Sequence, residues 1–112
     1  MGASQPPDLL PGTLELLILH ILSRGGEMHG YAIAQELKAG SDEVLQVGES
    51  SLYPALQRLL LKGWVKAEWG TSENNRRARY YTLTASGRRR VSVERAAFED
   101  LIVAIRKILY AS

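Results

Sequence analysis

Apolar positions along the chain fall into four helical stretches and one pair of short alternating runs. Residues 14–24 are apolar almost all the way round: Leu14, Leu17, Ile18 and Ile21 form one stripe, and Leu16, Leu19 and Leu22 form another. Thr13 is placed to cap this helix, and Glu15 sits favourably in its first turn. A helix apolar on two sides needs cover on two sides, and in so small a domain the second cover is expected from another subunit. Arg24-Gly25-Gly26 ends it. A second helix over about 30–39 puts Ile33, Ala34 and Leu37 on one face and stops at Gly40. Ser41–Glu49 links onward, with a short extended piece expected at Val44–Val47.

Ser50 or Ser51 caps a third helix that runs to about Lys62, with Pro54 in or just after its first turn, where a missing N–H costs little. Leu52, Ala55, Leu56 and Leu59 face inward; Ser51, Tyr53, Pro54, Gln57, Arg58 and Leu61 project from the other side. After Gly63, the run Val65–Trp69 alternates as a strand does, with Val65, Ala67 and Trp69 on one face. Gly70–Asn75 is dense in turn formers, and Arg77–Leu83 returns as the second strand of a hairpin. Thr84 then caps a long helix over about 85–110, in which Val91, Phe98 and Ile105 recur every seven residues. Leu101 and Ile108 fill the intermediate positions, and Ile102 and Leu109 widen the stripe.

Three helices, a hairpin and a long helix spell a winged helix-turn-helix followed by a dimerisation helix: mainly α, with one small β-hairpin. The expected organisation is a flexible arm over 1–11, a winged-helix DNA-binding domain over 12–84, and a C-terminal dimerisation helix over 85–112. In this architecture the third helix enters a major groove and the wing lies along a backbone or minor groove.

Charge sharpens that picture. The 112 residues carry a net charge of +2, but residues 1–50 hold two basic side chains against seven acidic ones, and residues 51–112 hold twelve against five. Six arginines fall within 76–90: Arg76, Arg77, Arg79, Arg88, Arg89 and Arg90. The asymmetry points to a polyanion, nucleic acid before membrane, since no basic amphipathic helix with bulky apolar anchors accompanies it. The absence of cysteine excludes disulfides and thiol catalysis, and two histidines are too few for an ordinary His-based metal site. Neither a metal nor a cofactor is expected. No apolar run approaches bilayer length and the opening residues lack a secretory pattern, so the expected location is cytoplasmic.

Candidate chemistry concentrates on the third helix and the wing. Ser50, Ser51 and the open backbone N–H groups of the helix start suit a phosphate oxygen. Tyr53 can bond a phosphate or lie against a base; Gln57 can pair with adenine; Arg58 can reach guanine or phosphate. At the hairpin, Asn75, Arg76, Arg77 and Arg79 can neutralise phosphates or enter a narrow minor groove. Arg88–Arg90 oppose the dipole of their own helix, a cost that a nearby anion removes. His29-Gly30-Tyr31 reads as a helix-entry motif and His20 as a packed residue. Trp64, Trp69 and Phe98 read as core or interface; Phe98, mid-stripe where two long helices meet, marks the place for a small-molecule cavity. No phosphate loop, dinucleotide fingerprint, zinc-protease motif or nucleophile elbow occurs, so an enzyme is not expected.

These residues resemble the PadR family of bacterial transcription regulators. The likeness runs from Gly12-Thr13-Leu14-Glu15-Leu16-Leu17-Ile18-Leu19 through Met28-His29-Gly30-Tyr31-Ala32-Ile33-Ala34 and Ser51-Leu52-Tyr53-Pro54-Ala55-Leu56. It continues through Lys62-Gly63-Trp64-Val65 to Arg79-Tyr80-Tyr81-Thr82-Leu83-Thr84 and Gly87-Arg88, covering about residues 9–90. A single helix after the wing is similar to the short branch of the family. Leu60-Leu61 departs from it, standing where the family commonly carries charge. The resemblance implies a homodimeric repressor on near-palindromic double-stranded operators, released by a small aromatic effector. It also implies that Ser51, Tyr53, Pro54, Gln57 and Arg58 touch DNA beside Arg76, Arg77 and Arg79, and that the long helix packs on the partner's first helix. The dimer interface is then expected at Leu16, Leu19, Val91, Phe98, Leu101, Ile102, Ile105, Ile108 and Leu109, with Phe98 at an effector pocket. The competing readings are a winged-helix interaction module that does not bind DNA, and a small-molecule carrier or cryptic enzyme using the dimer cavity.

Overall fold

In a computed structural model, which describes residues 12–111, the first helix, α1, spans Thr13–Gly25. Thr13 is its first helical residue rather than its cap; Gly12 takes the cap position in the left-handed region (φ 86°), with no side-chain bond to the helix. A two-residue strand, β1 (Met28–His29), leads into α2 (Gly30–Gly40). His29 caps α2, its Nδ1 accepting from the Ala32 N–H at 3.2 Å. The expected helix-entry motif is therefore a literal cap. Residues 44–47 form no strand.

α3 covers Glu49–Lys62 and β2 and β3 cover Val65–Thr71 and Arg77–Leu83. β3 pairs antiparallel with β2 through seven residues and on its other side with β1, Met28 opposite Tyr81 and His29 opposite Tyr80. The expected two-stranded hairpin is thus two-thirds of a three-stranded sheet of order β1-β3-β2. Its tight turn closes with the Ser72 N–H donating to the Arg76 carbonyl at 2.7 Å, and Asn75 takes a positive φ of 57° that asparagine tolerates.

α4 spans Ala85–Leu109 and is capped by Thr84, whose hydroxyl accepts from the Gly87 N–H at 3.0 Å and donates to the Gly63 carbonyl at 2.7 Å. The Thr84 N–H donates to the Trp64 carbonyl at 3.1 Å. The base of α4 is therefore pinned to the segment between α3 and β2. Closest of all is Gly87: a Cβ there would overlap the Trp64 carbonyl oxygen and stand 2.8 Å from its carbon. Trp64 is half-buried at this joint between two cations, Lys62 Nζ and the Arg90 guanidinium lying 4.7 and 4.8 Å from its ring centre. Arg90 also pairs with Glu94 one turn on, so this arginine of the Arg88–Arg90 run is committed within the fold.

Ile18, Leu19, Leu22, Ile33, Leu56 and Leu59 form the fully buried centre, joined by Val65, Tyr81, Leu83 and Val91. Three interface expectations are corrected here. Leu19 has no exposed surface, and Leu16 and Val91 are buried as well, so none of the three offers appreciable surface to a partner. α1 packs against α2, α3, β3 and α4, so its own chain covers the stripe of Leu16, Leu19 and Leu22 and part of the other. Leu17 and Ile21 are left half-exposed.

α4 runs along α1 as far as Phe98 and Leu101, and its last turns extend beyond it. The described residues have a radius of gyration of 15.5 Å, against about 13 Å for a compact chain of this size. Phe98, Ile102 and Ile105 are partly exposed along α4, and Leu101, Ile108 and Leu109 are open to solvent.

Candidate nucleic-acid interface

α3 turns Leu52, Ala55, Leu56 and Leu59 into the core, so the remaining arc of the helix faces solvent. Ser50, Ser51, Tyr53, Pro54, Gln57 and Arg58 are all exposed on that arc. Neither serine caps the helix: Gly48 holds the cap position and its carbonyl accepts from the Ser51 and Leu52 N–H groups at 3.1 and 2.9 Å. Ser50 and Ser51 thus lie inside the first turn with their hydroxyls outward. Pro54, expected near the helix start at little cost, sits in the second turn, where it deprives the Ser50 carbonyl of its helical donor. That carbonyl is on the exposed residue and solvent can serve it. Leu61, near the end of the arc, is 78% exposed.

Tyr53 does not simply extend into water. Its ring lies across the start of α2, where a Cβ on Gly30 would come within 2.9 Å of the Tyr53 hydroxyl oxygen. Glycine at that position gives the phenol its seat between α2 and α3. Beyond it lies Tyr81 of β3. Burial pushes the Tyr81 phenol above the usual tyrosine range, the Arg79 charge opposes that rise, and the Tyr53 hydroxyl adds to it. Tyr81 is therefore a neutral phenol at physiological pH. Arg79, 6.0 Å from the Tyr81 ring centre, carries the patch from α3 onto the wing.

On the wing, Asn75, Arg76, Arg77 and Arg79 are exposed. Arg77 and Arg79 share a strand face with Tyr81 because alternate residues of a strand point the same way. Trp69 stands opposite Arg79 in the register and so lies on that face as well. The sequence pattern assigns Trp69 to core or interface, yet it is 61% exposed, with the Arg77 guanidinium 4.9 Å from its ring centre. Stacking holds Arg77 against a flat apolar plate and adds a residue that the charge pattern alone misses. The diagonal spacing of Trp69 and Arg77 across the turn is the signal for it.

Arg58 needs a correction of a different kind. Its Nε donates to Oε2 of Glu15 on α1, so it is not a free cation on the reading face. Glu15 is not a solvent-exposed residue of a helix's first turn but a carboxylate with an 8% exposed side chain.

Where the start of α1 meets the middle of α4, Leu16, Phe98 and Leu101 line an open cavity of about 180 Å³ together with Gly12, Thr13, Glu94 and Ala97. That is below the volume of roughly 300 Å³ at which small-molecule pockets begin. Among the described residues no three His, Asp or Glu side chains gather as a metal site, and no helix is long and apolar enough to cross a membrane.

An exposed polar face on α3 and a basic wing built from two strands of the three-stranded sheet define a winged-helix DNA-binding protein. The sequence model of the transcriptional regulator PadR-like family matches residues 18–93. A transcriptional regulator from Clostridium thermocellum superposes with a TM-score of 0.77 at 28% identity, over 90% of this chain and 92% of that one. A PadR family regulator from Eggerthella lenta gives 0.74 at 28% identity, over 90% and 85%. Bacillus subtilis PadR, solved in complex with operator DNA, gives 0.63 at 28% identity over 72% of this chain and 45% of its own. The chain belongs to the transcriptional regulator PadR-like family, whose members are transcriptional regulators and not enzymes.

Proposed function

We propose that this chain is a cytoplasmic, homodimeric repressor that binds a near-palindromic operator and leaves it when a small aromatic molecule binds. The observation that carries the reading is the pair of exposed sets: Ser50, Tyr53 and Gln57 on α3, and Trp69, Arg77 and Arg79 on the wing. The α3 face supplies hydrogen-bonding groups for base edges and phosphates, and the wing supplies positive charge. The exposed apolar stripe of α4, from Phe98 to Leu109, supports pairing with a second copy. Two such copies on one DNA face place their reading helices about 34 Å apart, or a multiple of it. The cavity at Leu16, Phe98 and Leu101 is too small to hold a ligand alone, and a partner's α4 laid beside it enlarges it into an effector site.

Binding of the purified protein to the DNA upstream of its own gene, against a random duplex and across a salt series, tests the proposal. Saturable preference with two chains per site is the expected result. No binding even at low salt makes the fold an interaction module instead. Within that assay, replacing both Arg76 and Arg77 by alanine should weaken every duplex about equally and flatten the salt dependence by about one to two units. An unchanged slope removes the wing from the interface. Gln57→Ala should cost operator affinity about 1–3 kcal/mol, well beyond its effect on random duplex. A uniform loss contradicts a base contact.

A further inference from the structure

We infer that Glu15, on a helix with no part in the DNA face, is a positioning residue that holds Arg58 as a reader of base edges. The inference rests on the DNA-binding reading above and goes beyond it, because it assigns a role to a buried carboxylate 43 positions away in sequence. Glu15 Oε2 accepts from Arg58 Nε, while its other oxygen is buried with no partner among the described residues. A carboxylate held out of water in this way depends on its cation. Arg58 is the reverse case. Its side chain is 51% exposed, so the carboxylate holds the inner edge of a guanidinium whose outer part is open to solvent.

Two physical consequences follow from that geometry. Binding through Nε leaves both terminal nitrogens, with four N–H groups in a fixed plane, unengaged by Glu15. A planar fork with fixed orientation matches the paired acceptors on a guanine edge. The pair is also neutral as a whole, so Arg58 contributes little to the charge attraction that draws phosphates, while its hydrogen-bond donors remain. Phosphate contact supplies affinity without sequence information, and base contact supplies discrimination. Glu15 therefore shifts Arg58 from the first task toward the second, and the wing arginines, which have no such carboxylate in contact among the described residues, keep the first.

The test is a double-substitution cycle read as the ratio of affinities for the protein's own upstream duplex and a random duplex of equal length. Glu15→Ala should lower the ratio about tenfold, and Arg58→Ala by a similar factor. The double variant should lose no more than Arg58→Ala alone. Glu15→Gln, which keeps an acceptor for Nε but not the neutralising charge, should recover part of the loss while tightening binding to random duplex at low salt. A purely structural Glu15 would lower both affinities together and leave the ratio in place, and that result overturns the assignment. So does a double variant whose loss is the product of the single ones. Should Glu15→Ala fail to fold, Arg58→Lys decides the matter. It keeps the charge and removes the fork, so the ratio should fall; a wild-type ratio overturns the inference. A wild-type protein with no preference for any duplex overturns the DNA reading itself, a result separate from all of these.

Discussion

Gly87→Ala is expected to lower the stability of the folded chain by about 2–3 kcal/mol, roughly 10–15 °C in melting midpoint. Alanine is ordinarily the better helix former by about 1 kcal/mol, so propensity alone predicts a gain. The surroundings reverse the sign. A methyl group at position 87 meets the carbonyl of Trp64, a backbone group that also accepts from the Thr84 N–H. A flexible side chain could swing away from the new methyl, but this carbonyl cannot move without breaking the bond that starts α4. Ser92→Ala, at an exposed site five residues on, should change stability by less than about 0.5 kcal/mol. Thermal unfolding of both variants checks the pair, and a wild-type midpoint for Gly87→Ala would show that α4 can lift from the joint freely.

The second large effect is expected at the opposite end of α4. Leu101 and Ile108 lie on one side of the helix, and both are exposed, Ile108 at 80%. Glutamate at both positions therefore removes nothing from the core, and the single chain should remain folded. In the proposed dimer, what it removes is the apolar surface offered to a second copy, placing charge where that surface would be buried. Sedimentation should report a monomer, and operator affinity should fall by roughly 10²–10⁴-fold as two linked contacts become one. Persistence of two chains per operator would place the dimer contact elsewhere.

How much of this was legible in the sequence differs by element, and the reasons are physical. The end of α3, the wing and the start of α4 follow from local chemistry, whereas the start of α3 falls to Gly48 rather than to either serine. Gly63 sits in the left-handed conformation that ends α3, turn formers occupy the tip of the hairpin, and Thr84 caps the next helix. Short-range signals of this kind survive folding. β1 left no such signal, because two residues are too few to show a period, and it forms only when β3 offers an edge. The surroundings of α1 were also beyond the pattern. Two apolar stripes demand two covers, but periodicity does not say whose; elements of the same chain bury Leu19, which the pattern assigns to a partner. The exposed face of α3 is legible as a set, since its inward residues fix which way the others point. The state of one member, Arg58, depends on a long-range ion pair that no local pattern contains.

The joint at Thr84 and Gly87 also makes α4 a lever. Its 25 residues extend about 38 Å, and its base is fastened to the turn that separates the recognition helix from the wing. A rotation of about 5° at that fulcrum carries the far end through about 3 Å, by the length of the helix alone. In the dimer proposed above, a small rotation at this joint would change the separation of the two α3 helices with a gain that a compact domain of this size lacks.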